Sequence, residues 1–297
     1  MKGDSKLLFI YNPRAGKERI KVQLADMIQI FAEAGYEVTA CPTKHAGYAT
    51  QAVIERDSAY ELVVCAGGDG TLDEVVCGMM QSDKKTTIGY LPAGTTNDFA
   101  VSLQIPVQPV EAAKTAVYGD VFSCDVGKMN QDYFVYTAAF GLFTEVSYET
   151  KQDIKNILGH TAYLLEGVKR LGDVKSYHAC VTYDNHTIED DFIFGMVTNS
   201  KSIGGFKEIT GKNVDLADGL FEVTLIRMPQ NPIELSSIIA ALLNHDLVSD
   251  MMYCFKTKAL TVDTSEPLKW TRDGEFGGAH THVAIENCHK GIDIKVP

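Results

Sequence analysis

The run Gly67-Gly68-Asp69-Gly70-Thr71 sets a carboxylate and a hydroxyl among glycines. Glycine lets backbone amides approach an anion without interference from a Cβ, so the run reads as a phosphate-binding turn. An aspartate beside phosphate is repelled unless a cation lies between them, and Asp69 therefore points to Mg²⁺ with a nucleotide. The turn lacks the Lys-Ser/Thr pair of a Walker loop and the G-x-G-x-x-G spacing of a dinucleotide turn, which excludes the two commonest nucleotide loops. Its bland alternative is a strand-to-helix turn with no ligand. Late in the chain, Asp273-Gly274-Glu275 brings two carboxylates together. Alone it reads as a type I turn with a solvated carboxylate.

The elements that must position these groups follow from periodicity. Leu62-Val63-Val64-Cys65-Ala66 is a continuous apolar run ahead of the glycines, the pattern of a buried parallel strand. A helix is expected after it, with Thr71 as its cap. Leu7 to Tyr11, Tyr36 to Ala40 and Thr87 to Leu91 read as further strands. They alternate with helical patterns over Val22 to Phe31 and Ala46 to Arg56, which predicts a parallel sheet. Ligands gather at the carboxyl ends of such strands. The loops Asn12 to Lys17, Gly67 to Thr71 and Pro92 to Asp98 are therefore expected to converge, with Thr43 adding a hydroxyl and Arg14 and Lys17 facing phosphate.

After Cys124-Asp125-Val126-Gly127 the rhythm turns strand-rich, with helical patterns at Ile154 to Leu171 and Ile233 to Leu243 and a last alternating strand at Gly291 to Val296. The expectation is an α/β domain over residues 1–125 and a larger antiparallel β-rich domain over 126–290, with residues 291–297 returning to the first. At 297 residues the chain is long enough for two cores. A formal net charge of −12 argues against a nucleic-acid partner, which would need Lys and Arg to neutralise phosphate. The seven cysteines are scattered and form no Cys-x-x-Cys pair, which suits a reducing cytoplasm. The apolar start of the chain is too short for a signal core or a membrane span.

Asn12-Pro13 with Gly16-Lys17, Gly67 to Thr71, Pro92 to Ala100, Asp218-Gly219-Leu220 and Asp273-Gly274-Glu275 occur in one order along nearly the whole chain. In these motifs the chain resembles the bacterial diacylglycerol/lipid kinase family, whose catalytic domain is shared with sphingosine kinases and eukaryotic diacylglycerol kinases. The resemblance implies an NAD-kinase/phosphofructokinase-like α/β domain with a parallel sheet, followed by an antiparallel β-rich sandwich domain with inserted helices. It implies an ATP-dependent kinase that uses Mg²⁺ to phosphorylate a lipid hydroxyl, most simply that of diacylglycerol. The ATP contacts implied are Asn12, Pro13, Arg14, Ala15, Gly16, Thr43, Gly67, Gly68, Asp69, Gly70, Thr71, Leu72, Asp73 and Thr95. Asp273 is the implied general base, with Glu275, Asp98 and Asp69 in an acidic, magnesium-organised network. Asp215, Asp218 and Leu220 resemble a second, structural Mg²⁺ site, for which the bland reading is a tight turn before a strand.

Asp73 departs from the family pattern, standing where Asn is common. Lys151 to Arg170, a basic amphipathic stretch, is the candidate membrane-facing segment, although such stripes are more often core packing with a solvated basic edge. The lipid substrate places the protein at the inner face of the membrane as a transient, peripheral visitor, and exposed edge strands suit a homodimer. Competing functions are a soluble NAD kinase, which shares the Gly-Gly-Asp-Gly turn, another lipid acceptor such as phosphatidylglycerol or a sphingoid base, and a nucleotide-binding regulator without transfer activity. Retention of both Asp69 and Asp273 argues against the last.

Overall fold

The structure, a computed structural model, describes residues 5–142, 175–203, 206–207, 214–243 and 250–297. The candidate membrane segment 151–170, and with it the helical pattern at Ile154 to Leu171, lies outside the described residues. The chain divides into unit 1, Met1–Val126 with His289–Pro297, and unit 2, Gly127–Cys288.

Unit 1 is built on β1 (Ser5–Tyr11), β2 (Tyr36–Pro42), β3 (Leu62–Gly67) and β4 (Thr87–Pro92). All pair in parallel in the order β2-β1-β3-β4, and the end of β15 (Glu275–Val296) joins β4 through Ile294 and Ile88. Every residue of β3 is buried, as its continuous apolar run requires of a strand covered on both faces. One face is packed by α2 (Leu24–Glu33) and α6 (Pro109–Tyr118), whose Met27, Phe31, Ala112 and Ala116 meet Phe9 and Val64. Phe9 and Phe31 contact edge to face with centroids 5.2 Å apart. Burying a side chain of this size stabilises by roughly 1.5–3 kcal/mol, so this layer anchors the strands whose ends carry the candidate site.

The first helical pattern breaks in two. A short α1 (Arg19–Val22) stops at Gln23, which has φ −104° and ψ 11°, and α2 starts afresh. Val22, read from periodicity as part of the apolar face, is 83% exposed, because the break turns it away. The next helices are α3 (Tyr48–Arg56), α4 (Asp69–Gln81) and the short α5 (Asp98–Ser102).

Unit 2 is antiparallel throughout its described pairings. Its strands are the end of β5 (Asp120–Met129), β6 (Asp132–Phe134), β7 (Thr137–Gly141), β8 (Tyr177–Tyr183), β9 (His186–Thr198), β10 (Ser202–Ile203), β11 (Phe206–Lys207), β12 (Phe221–Arg227), β13 (Met252–Thr257), β14 (Ala259–Arg272) and most of β15. Two long strands organise them: β9 and β14 each pair with β7 at one end and with β8 at the other. Phe134, Phe140, Phe192, Phe221 and Trp270 fill the core between these strands. One described helix, α7 (Pro232–Leu243), lies on a second cluster, with Ile238 and Ala241 against Ile193, Ile226 and Met252.

Two sequence readings change here. Leu260 to Asp263 and Leu268 to Arg272 are one strand, β14, whose register with β15 slips between them. His282 to Glu286 and Gly291 to Val296 are likewise one strand, because strand pairing carries β15 through the polar run Glu286 to Lys290.

Candidate functional site

In unit 1 the loops after β1, β3 and β4 are tied to one another through their backbones. Asn12 N–H donates to Ala66 O (2.8 Å), and Ala93 N–H donates to Gly67 O (2.7 Å). A Cβ added to Gly94 would stand 2.8 Å from the Gly68 Cα, so these two loops meet where only glycine leaves room. Thr43, after β2, is held by its N–H to Tyr11 O (2.9 Å). Within the first loop the Asn12 side chain accepts from Arg14 N–H (2.9 Å), which makes Asn12 a brace as well as a candidate contact. Of the other residues there, Arg14 is exposed and Pro13, Ala15 and Gly16 are half-buried.

Asp69 opens α4, and Gly68 is the cap residue. Thr71 is therefore the third residue of the helix rather than its cap, and its side chain packs against Gly67. Leu72 is 1% exposed, so its side chain belongs to the core. The first N–H groups of a helix have no intrahelical acceptor and favour negative charge. Gly67, Gly68, Asp69 and Gly70 thus carry the donors expected of a phosphate cradle, while Asp73 lies one turn further along, with Cys77 Sγ 3.8 Å from its Oδ1.

The β4 loop turns back on itself through a residue whose role the sequence left unassigned. Asn97 adopts φ 52°, accepts Gly94 N–H on its Oδ1 (2.7 Å) and donates from Nδ2 to Gly94 O (3.1 Å). This clasp leaves Thr95 exposed at the tip and points Thr96 Oγ1 at Asp69 Oδ2 (3.2 Å). Asp98, 2% exposed, opens α5 behind it. The buried Tyr90 of β4 donates its hydroxyl to Gly67 O (3.3 Å). Burial, then the charges of Asp69, Cys65 and Asp98, push the Tyr90 phenol well above its usual range.

In unit 2, Asp273 and Gly274 form the two-residue link between β14 and β15, with Arg272 facing Glu275. Both have positive φ, 48° and 81°, as a type I′ hairpin requires, and this replaces the type I turn of the bland reading. The Asp273 carboxylate is not solvated. It is 6% exposed and accepts three backbone N–H groups, from Val135 (2.5 Å), Tyr136 (3.0 Å) and Thr137 (2.9 Å). Glu275, two residues on, is exposed.

The turn Asp215 to Leu220 precedes β12. Asp215 Oδ1 accepts Ala217 N–H (3.0 Å) and Asp218 Oδ1 accepts Leu220 N–H (2.9 Å). The Lys256 ammonium stands 3.2 Å from Asp218 Oδ2 and 2.9 Å from Glu222 Oε1. Burial opposes the Lys256 charge, yet Glu222 and then Asp218 outweigh it and hold the lysine above its usual pKa. Burial pushes Glu222 upward, with Lys256 opposing.

Residues 6–129 match the family model described as the diacylglycerol kinase catalytic domain. Over 291 residues the chain is 35% identical to a diacylglycerol kinase of Bacillus subtilis (strain 168), covering 97% of this chain and 95% of that one. This chain belongs to the diacylglycerol kinase family. A relative of the same name from Staphylococcus carnosus (strain TM300) is 33% identical, with 97% and 94% covered. A solved structure of a candidate diacylglycerol kinase from Bacillus anthracis str. Sterne superposes with a TM-score of 0.84 at 26% identity, covering 100% of this chain and 97% of that one. The chain is accordingly a kinase with the two-domain fold of this family and its β-rich C-terminal part.

Kinases of this family work on a phosphoryl donor with a divalent cation. Among the described residues no three His, Cys, Asp or Glu side chains gather as a metal cage. Mg²⁺ with a nucleotide needs only one or two carboxylates, since phosphate oxygens of the nucleotide and water supply the remaining ligands. Asp69 beside the glycine cradle, with Asp98 close by, fits that demand.

Proposed function

We propose that this kinase transfers the γ-phosphoryl group of ATP to the hydroxyl of diacylglycerol, giving phosphatidic acid and ADP. The observation that carries the reading is the backbone convergence of the β1, β3 and β4 loops on the start of α4, where Asp69 stands at the only carboxylate position of a glycine cradle. Asn12 to Gly16, Thr43, Gly67 to Asp73 and Thr95 are the assigned nucleotide contacts, Leu72 through its backbone. Mg²⁺, when bound with ATP, offsets the charge that builds on the transferring group. Asp69, with Asp98, is assigned to hold it.

The acceptor oxygen bonds to phosphorus as the bond to ADP breaks, and the hydroxyl proton must leave. Asp273 is assigned as its acceptor, with Glu275 nearby on the same hairpin. The three N–H groups of residues 135–137 fix the orientation of the Asp273 carboxylate, and positioning is what a general base needs first. No described helix is long and apolar enough to cross a membrane, and we assign the protein a peripheral place at the cytoplasmic membrane surface, where its acceptor resides.

The test is purified protein with labelled ATP and Mg²⁺, offered micelles of diacylglycerol, phosphatidylglycerol, monoacylglycerol or sphingoid base, and NAD separately. Label in phosphatidic acid is expected. Label in NAD and in no lipid would overturn the reading. Asp273→Asn should lower turnover at least ~10²-fold while ATP still binds, the scale of a general base. Near-normal turnover in that variant would remove Asp273 from the role.

A further inference from the structure

The turn Asp215 to Leu220 already holds a cation of the chain's own. The sheet register places Glu222 of β12 directly opposite Lys256 of β13, and from there the ammonium reaches both Glu222 Oε1 (2.9 Å) and Asp218 Oδ2 (3.2 Å). The other Asp218 oxygen is taken by Leu220 N–H, and Asp215 Oδ1 by Ala217 N–H. We propose that Lys256 is the resident cation of this turn and stands in place of the structural Mg²⁺ that the family resemblance implies, so that unit 2 is built without a divalent ion.

Three facts support the substitution. A lysine ammonium is a compact point charge with three donors, able to serve two carboxylates at once. Glu222 has a side chain only 9% exposed, and a buried carboxylate must keep a charged partner, so Lys256 cannot swing away without stranding it. Mg²⁺ demands near-octahedral oxygen geometry and would have to share Asp218 with the ammonium, a like charge at close range. The residues present therefore do not fit the ion.

The probe is Mn²⁺ alone, without nucleotide, read by its paramagnetic broadening of backbone amide signals from Asp215 to Glu222 and Tyr253 to Thr257. These signals are expected to keep their intensity in the native chain and in Lys256→Arg, and to broaden in Lys256→Met, with an apparent affinity at least ~10-fold higher once the like charge is gone. Mg²⁺ should also raise the unfolding temperature of Lys256→Met while leaving the native chain nearly unchanged. Broadening in the native chain overturns the proposal. Silence in Lys256→Met as well as the native chain also overturns it, because the turn would then have no place for an ion. Should Lys256→Met fail to fold, Lys256→Gln takes its place in both readouts with the same two deciding outcomes, and broadening in Lys256→Arg also overturns the proposal.

Discussion

Asn97 does at the scale of one residue what the five-residue loop 93–97 could not do by propensity alone. Its positive φ is a conformation that Asn tolerates and most side chains avoid, and both ends of its amide close on Gly94. Asn97→Ala removes two half-buried hydrogen bonds and keeps the strained backbone, so a loss of about 1–2 kcal/mol in chemical unfolding and weaker ATP binding are expected. Unchanged ATP affinity would show that the clasp does not shape the nucleotide loop. The motif containing Asn97 was legible in the sequence, but this role was not, because it depends on a backbone angle and on a partner three residues back. Asp273 was legible as a turn carboxylate, whereas its burial came from residues 135–137, far away in the chain. Lys256 left no local signal: only the pairing of β12 with β13 brings it to Asp218.

Among elements, α4 holds the start of α3. The Glu74 carboxylate accepts N–H groups from Gly47 (2.7 Å) and Ala49 (3.0 Å), and its carbonyl accepts Thr50 Oγ1 (2.8 Å). A negative charge at a helix N-terminus is favourable, and here it comes from a neighbouring helix rather than from α3 itself. Glu74→Ala should cost about 1–2 kcal/mol and speed hydrogen exchange at Gly47 and Ala49, the segment that follows Thr43. Exchange there at the native rate would mean α3 needs no such support. The parallel strands of unit 1 were readable because burial on both faces demands continuous apolar runs. β15 was not, since an antiparallel strand with one wet face admits Glu286, His289 and Lys290 without breaking, and the reading split it. The break at Gln23 escaped notice for the opposite reason, an unbroken apolar pattern over a backbone that turns.

At the scale of the whole molecule, the cysteines report which parts open. Cys65 and Cys124 are fully buried in unit 1, and burial, reinforced by Glu74 and Asp125 respectively, pushes both thiols far above their usual range, whereas Cys254 of unit 2 is exposed. A thiol must reach solvent as thiolate to react, so alkylation followed by mass spectrometry should label Cys254 first and Cys65 and Cys124 only on unfolding. Early label at either buried site would show that unit 1 opens locally. The same unit is assembled from two distant stretches, residues 1–126 and 289–297. During synthesis, β4 therefore leaves the ribosome long before Ile294, its partner on the open edge, has been made. Throughout the production of all of unit 2 that edge presents unpaired backbone groups, a template for pairing with another chain. The hydrophobic strand next to the Gly67–Gly70 turn is thus the segment most in need of protection in the newborn protein, and a chain stopped just short of residue 289 would carry that exposure permanently.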